Sequence, residues 1–180
     1  WHATGTLSLA GNGILGGVDS RATLAAIFVL LVAGFGVKAA IMPLHAWLPA
    51  AMVAPVPVSA LLHAVAVVKA GVFGLLRVVY HVFGVDLMRE LGFASALAVL
   101  AGVTIILASV VALRQEKIKP LLAWSTISQL SYIVLAACLL TPAAALAAII
   151  HLANQAFSKI TMFFVAGAIE RGTGKTRIDE

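Results

Sequence analysis

The chain has 180 residues, 62% of them hydrophobic and only 11% charged, with a formal net charge of +5. A soluble domain carries close to 25% charged residues, so this composition excludes an ordinary water-soluble globule and points to an all-α, polytopic transmembrane helix bundle. The positive balance does not signal nucleic acid, because the basic residues gather in short connecting segments as membrane topology requires.

Five segments are long enough to cross a bilayer. They run over 22–41, 58–80, 91–113, 121–140 and 143–169. The chain opens on Trp1-His2 in a polar, Gly-rich stretch without an initiator Met and stops at Asp179-Glu180 just after a helix. It reads as the central part of a longer protein.

The first span belongs to an almost unbroken apolar run from Ala22 to Met52. As one helix that run would reach about 46 Å, too long for a hydrocarbon core of about 30 Å. Gly34, Gly36, Pro43 and Pro49 resolve the conflict by predicting a discontinuous helix that breaks between Gly36 and Pro43 and continues to Met52. Backbone freed inside a membrane is tolerated only against protein or water, and broken helices of this kind hold ion sites in transporters. Lys38 lies at the break, with His45 and Trp47 just beyond. The competing reading ends the helix at Ile41, with Lys38 reaching to the interface and Trp47 serving as an aromatic anchor.

Pro55 and Pro57 restart the chain, and Ser59 follows as the second span opens. Lys69 is the twelfth of the 23 residues in that span, about halfway through the bilayer, where a charge costs roughly 2.5–3.5 kcal/mol on insertion scales. A lysine at that depth is expected to be buried and functional. Gly71 and Gly74 follow it and permit close packing or entry of water. His63 lies six residues earlier, about 9 Å along the axis and about 120° around it, so the two do not share a stripe and either flank a cavity or link through water and other helices. On its own, His63 better fits a core histidine with a hydrogen-bonded partner.

The third and fourth spans carry no formal charge. Ser128 and the lone cysteine, Cys138, sit in the fourth, and a single cysteine makes neither a disulfide framework nor a metal cluster. Pro120 opens the fourth span, and Thr141-Pro142 turns the chain tightly into the fifth. There His151, Gln155 and Lys159 recur every four residues, a polar stripe covering about 12 Å of depth, with Asn154 beside it. Such spacing suits a chain of waters carrying protons; the alternative is polar glue between packed helices. A low-dielectric surrounding penalises the charged form of an amine, and histidine titrates near neutrality, so Lys–His–Lys steps separated by waters can pass protons.

No Asp or Glu lies inside any span, so a carboxylate partner for the buried lysines must come from outside this sequence. Gly174-Lys175-Thr176 imitates the tail of a phosphate-binding loop, but the position five residues before Gly174 is Ile169 and a helix precedes it, which excludes that motif. Arg114, Lys117, Lys119, Arg171, Lys175 and Arg177 fall on one side, against Arg21 and Arg89 on the other. The positive-inside rule then puts the loop between the third and fourth spans, and the C-terminus, in the cytoplasm and the N-terminus outside. The segment joining the first two spans falls on the cytoplasmic side too.

The runs Lys38-Ala-Ala-Ile-Met-Pro-Leu-His-Ala-Trp-Leu-Pro through Ser59-Ala-Leu-Leu-His63, His63-Ala-Val-Ala-Val-Val-Lys69-Ala-Gly, Lys119-Pro-Leu-Leu-Ala-Trp-Ser-Thr-Ile-Ser-Gln-Leu-Ser-Tyr132 and His151 through Gly167 resemble, in order, the blocks of the antiporter-like proton-translocating membrane subunits. That family includes large membrane subunits of complex I (NADH-quinone oxidoreductase), of membrane-bound hydrogenases and of multisubunit monovalent-cation/proton (Mrp) antiporters, and the run from Lys159 is most similar to the D-type proteins of those antiporters. The resemblance implies an inverted-repeat subunit of about fourteen helices with this chain in its middle. It also implies a glutamate partner for Lys38 on an earlier helix. The relay it implies runs over Lys38, His63, Lys69, His151, Gln155 and Lys159, with Pro43, His45, Trp47, Ser59 and Ser128 in support. Gln155 departs from the histidine many members carry and can bridge waters but not hold a proton; Trp124 replaces a common tyrosine.

The expectation is a subunit of a cation/proton antiporter complex in a prokaryotic inner or plasma membrane. It would move protons, with Na⁺ or K⁺ as the exchanged ion, in contact with lipid and other membrane subunits, and without a redox cofactor, metal or nucleic acid. Alternatives are the pumping arm of a complex I-like enzyme or hydrogenase, in which catalysis belongs to other subunits, and a membrane scaffold coupled to an inorganic-carbon-handling partner.

Overall fold

The computed structural model describes residues 13–61 and 66–179. In chain order these hold α1 (Arg21–Ala39), α2 (Trp47–Ala50), α3 (Val56–Ala60), α4 (Val67–Arg77), α5 (Val85–Glu90), α6 (Phe93–Leu113), α7 (Ile118–Cys138) and α8 (Pro142–Thr173). Four of them, α1, α6, α7 and α8, are long and apolar enough to cross a membrane. Among the described residues there is no strand, only one isolated antiparallel bridge between Lys117 and Arg177.

The ends of the long helices follow from local chemistry. Ser20 caps α1 by accepting from the Thr23 amide at 3.3 Å, and Thr141 caps α8 by accepting from the Ala144 amide at 3.2 Å, with Pro142 as its first residue. Both satisfy amides that a helix start leaves open. Pro120 stands in the first turn of α7, where a missing N–H costs nothing. Gly174, at φ +73°, ends α8 in the left-handed conformation that favours glycine, so the Gly-Lys-Thr triplet is a helix stop.

The expected break in the first span is present. α1 ends at Ala39, and Ala40 takes a left-handed conformation (φ 55°, ψ 38°). The Ile41 amide donates to the Gly36 carbonyl at 3.1 Å and the Ala40 amide to the Val37 carbonyl at 3.2 Å, which is the pairing of a Schellman stop. The Met42 amide donates to Thr104 Oγ1 of α6 at 3.3 Å. The Trp47 indole N–H donates to the Val37 carbonyl at 2.6 Å. Backbone groups that would be costly in lipid are therefore satisfied by protein. The Met42–Pro43 peptide is cis.

Of the second span expected over 58–80, residues 58–61 and 66–80 are described. The Ala66 amide donates to the Leu61 carbonyl at 3.1 Å. Helix α4 starts at Val67, and the turns widen over Val78–Phe83. Helix α3 packs on α8, where Gly167 lies against the Val56 side chain, while α4 packs on α1. The expected site residue His63 lies outside the described residues.

The α1–α4 crossing is set by glycine. A side chain at Gly71 would run into the Ala39 amide nitrogen and the Lys38 backbone, and one at Gly74 into the Phe35 ring. The two glycines thus serve close helix approach. Helices α6 and α7 form an antiparallel pair with α8 on the other flank of α7. The main apolar core runs from Leu24 and Phe28 of α1 through α4 and α6 to Ile127, Leu130 and Ile133 of α7. Lys119 pairs with Glu170 at 2.8 Å, which puts the two basic stretches flanking α7 and α8 at one end of the molecule, as their count predicts.

Candidate functional site

Lys159 is 5% exposed, on the face of α8 that meets α7. Its Nζ donates to the Leu122 carbonyl at 3.4 Å and to Ser125 Oγ. The Ser125 hydroxyl in turn donates to the same Leu122 carbonyl at 2.9 Å, which leaves its lone pairs facing the ammonium. Both acceptors are neutral. No ion pair to Lys159 is found among the described residues.

The helical repeat lines up Gln155 and His151 above Lys159, and all three border one groove of about 390 Å³ between α7 and α8, with Ser125, Gln129, Asn154 and Ser158. His151 Nε2 and Gln129 Oε1 are 3.0 Å apart; an amide oxygen only accepts, so the imidazole donates. Gln155 is 4% exposed, and neither end of its amide has a partner among the described residues. A further hollow of about 750 Å³ continues past Gln129, His151 and Asn154 to Tyr132. The groove is therefore lined by two facing polar ladders, one on each helix.

Lys69 is buried on α4, its Nζ likewise without a partner among the described residues. Two buried like charges without a carboxylate are costly unless water or a proton shift relieves them. Lys38 occupies the last turn of α1, where a cation complements the helix dipole; its side chain is exposed and it has no ion pair among the described residues. Its backbone and Cβ lie against Gly71 of α4, two residues from Lys69.

The supporting residues divide by location. His45, in the break, lies with its ring 5.2 Å from that of Trp124 on α7, and its Nδ1 is buried without a partner among the described residues. Pro43 belongs to the turn itself, and Trp47 opens α2. Ser59 donates to the Ala54 carbonyl at 3.0 Å and closes the turn ahead of α3. Ser128 pairs with Ser109 at 2.9 Å, toward α6 and away from the groove. Sequence reasoning passed over Ser125, Gln129 and Tyr132, which recur at i, i+4 and i+7 on α7. That helical spacing was the available signal, masked by the absence of charge in the span.

The profile that describes the transmembrane part of NADH:quinone oxidoreductase and Mrp antiporter proteins matches residues 1–179. A probable K⁺/H⁺ antiporter protein of Rhizobium meliloti, the A/B component of its complex, is 41% identical over 148 residues, 82% of this chain and 14% of the relative. The L component of NADH-quinone oxidoreductase from Mycobacterium tuberculosis is 41% identical over 167 residues, 92% of this chain and 25% of the relative. Among solved structures, the Mrp complex from Dietzia superposes with a TM-score of 0.77 at 41% identity, covering 87% of this chain and 17% of that one. An archaeal membrane-bound sulfane sulfur reductase superposes with a TM-score of 0.84 at 32% identity, covering 99% and 36%. The chain thus spans a quarter or less of the length of these two curated relatives.

Proposed function

The chain belongs to the NADH:quinone oxidoreductase/Mrp antiporter transmembrane family, and from that premise we propose that it is the central part of a proton-translocating subunit in which Lys38, His63, Lys69, His151, Gln155 and Lys159 carry a water-linked proton path. The observation that carries this reading is Lys159 itself. Among the described residues it is a buried amine held only by neutral oxygens, in one groove with Gln155 and His151. A cation so weakly compensated can release its proton when a neighbouring charge approaches and recover it when that charge withdraws. The open amide of Gln155 is where a bridging water would sit, since glutamine itself cannot hold a proton. His151, poised on Gln129, would extend the path along α8.

The host is proposed to be a multisubunit monovalent-cation/proton antiporter in a prokaryotic inner membrane, with the basic end of α7 and α8 cytoplasmic. The identities to an antiporter protein and to an oxidoreductase protein are equal at 41%, so a redox-driven host is the second reading. Proton flux is measured in inverted vesicles carrying the full-length subunit in its complex, without an electron donor. Flux driven by added Na⁺ or K⁺ supports the antiporter; flux that needs a reductant supports the redox enzyme. In either host, Lys69→Ala is expected to abolish coupled flux with assembly intact, and unchanged flux would remove Lys69 from the path.

A further inference from the structure

Two cavities open at the basic end of the molecule, away from the lysine groove. One, of about 330 Å³, lies where α7 begins, and Lys117, Lys119, Lys175 and Glu170 border it above the apolar side chains of Met52 and Val53. The other, of about 480 Å³, lies between the start of α3 and the last turns of α8, with Lys119, Glu170 and Arg171 beside Val56, Phe164 and Ala168. The Lys119–Glu170 ion pair, at 2.8 Å, borders both. Along α8, Arg171, Ala168, Phe164, Thr161 and Phe157 follow one another at steps of three and four residues and so share one face. Phe164 is 54% exposed and Phe157 76%. From Arg171 to Phe157 that stripe runs about 21 Å along the axis, more than half the depth of a hydrocarbon core about 30 Å thick.

We propose that this end of the molecule binds a phospholipid with an anionic headgroup, its phosphate among Lys117, Lys119 and Arg171 and an acyl chain along the α8 stripe of Ala168, Phe164 and Phe157. Basic pockets between membrane helices attract such headgroups. Three basic residues and one carboxylate border the first cavity, and Arg171 adds a further positive charge at the second. Glu170 does not exhaust Lys119, because an ammonium has three donors and can hold a carboxylate and a phosphate oxygen together. Membrane topology explains why basic residues gather at this end, but not why apolar walls and an exposed aromatic stripe lead away from them. A free inorganic anion would use the charges and leave the stripe idle, and a zwitterionic lipid would use the stripe and gain little from the charges. An anionic phospholipid matches both. Seated there, it touches Met52 and Val53 of the short turn Ala51–Val53, the start of α3 and the end of α8 at once, and so fastens the broken segment to α8. Such a site needs only that the chain spans a membrane, and it stands whether or not protons follow the lysines.

The test is photo-crosslinking of the full-length subunit in its assembled, purified complex. Phosphatidylglycerol with a photoreactive acyl chain is compared with phosphatidylcholine carrying the same chain, and the adducts are mapped by mass spectrometry. Phosphatidylglycerol is expected to label the 157–171 stretch of α8 at least about five-fold more strongly than phosphatidylcholine. Lys117→Gln and Arg171→Gln should each weaken that labelling about five-fold, the equivalent of about 1 kcal/mol per basic residue. Excess inorganic phosphate at matched ionic strength should leave it in place. Equal labelling by the two lipids makes the stripe an ordinary bilayer contact and overturns the proposal. No labelling of the stripe, because another part of the complex covers it, overturns it equally. Displacement by inorganic phosphate also overturns it, since the charges would then serve a free anion. The two-lipid comparison is made in the unaltered complex, so it decides even where a variant fails to assemble. The relay fails by a different readout, unchanged coupled flux in Lys69→Ala.

Discussion

Lys159 depends on one hydroxyl whose orientation is itself secured, since Ser125 spends its proton on the Leu122 carbonyl and turns its lone pairs to the ammonium. A hydrogen bond to a charged group is worth about 1.5–3 kcal/mol, so Ser125→Ala is expected to lower coupled flux by an order of magnitude or more while Ser125→Thr retains most of it. Flux at matched assembly is the measurement, and an active Ser125→Ala would remove Ser125 from the site. At the helix break, Ala40 holds a left-handed conformation that costs an L-residue roughly 1–2 kcal/mol relative to the right-handed one. Ala40→Gly is therefore expected to raise the melting temperature of the detergent-solubilised complex, provided the gain outweighs the extra freedom glycine brings to the unfolded chain; a lower value would show that it does not. Lys69 and Lys159 were legible in the sequence because a charge deep in an apolar run has few explanations. Ser125 and Gln129 were not, because a hydroxyl or amide on a membrane helix has many.

At the scale of elements, the helix break decides what the lysines can reach. It was readable from Gly36 and Pro43, but not its stop at Ala39, which rests on partners distant in sequence: the Val37 carbonyl on Trp47 and the Met42 amide on Thr104. Gly71 ties the break to the helix of Lys69. Gly71→Ala places a methyl group against the Ala39 nitrogen and Lys38 backbone, so the α1–α4 crossing must open. Loss of stability of about 1–3 kcal/mol is expected, as for overpacking elsewhere, together with reduced flux; thermal unfolding of the solubilised complex checks the first, and a neutral effect would mean that the crossing yields freely.

Across the whole molecule, the end that carries the basic residues is also clasped. The Ile118 amide donates to the Thr176 carbonyl at 3.1 Å and the Ile178 amide to the Glu116 carbonyl at 2.9 Å. Arg177 pairs with Glu116 at 3.1 Å and Asp179 at 3.0 Å. The hydrogen bond from Arg177 holds the Asp179 carboxyl below the usual carboxylate range. A depressed carboxyl contributes to the folded state above its unfolded value, near 3.9, and that contribution is lost as pH falls through the lower folded value. The Arg177–Asp179 contact is thus expected to persist at neutral and mildly acidic pH. A carbon-13 titration of Asp179 should show a low midpoint that Arg177→Gln returns to the ordinary range; an unmoved midpoint would assign the shift elsewhere.

Composition and hydrophobic run length determined by themselves that this is a helical membrane protein, and depth within those runs singled out the lysines, because lipid tolerates neither bare backbone nor unmatched charge. The four-residue repeat of His151, Gln155 and Lys159 likewise determined that they share a face. Tertiary structure alone decided what stands opposite that face and that Ser128 turns to α6 instead. Each of those depends on which helix packs against which, and packing partners far apart in sequence leave no periodic trace in either of the segments that meet.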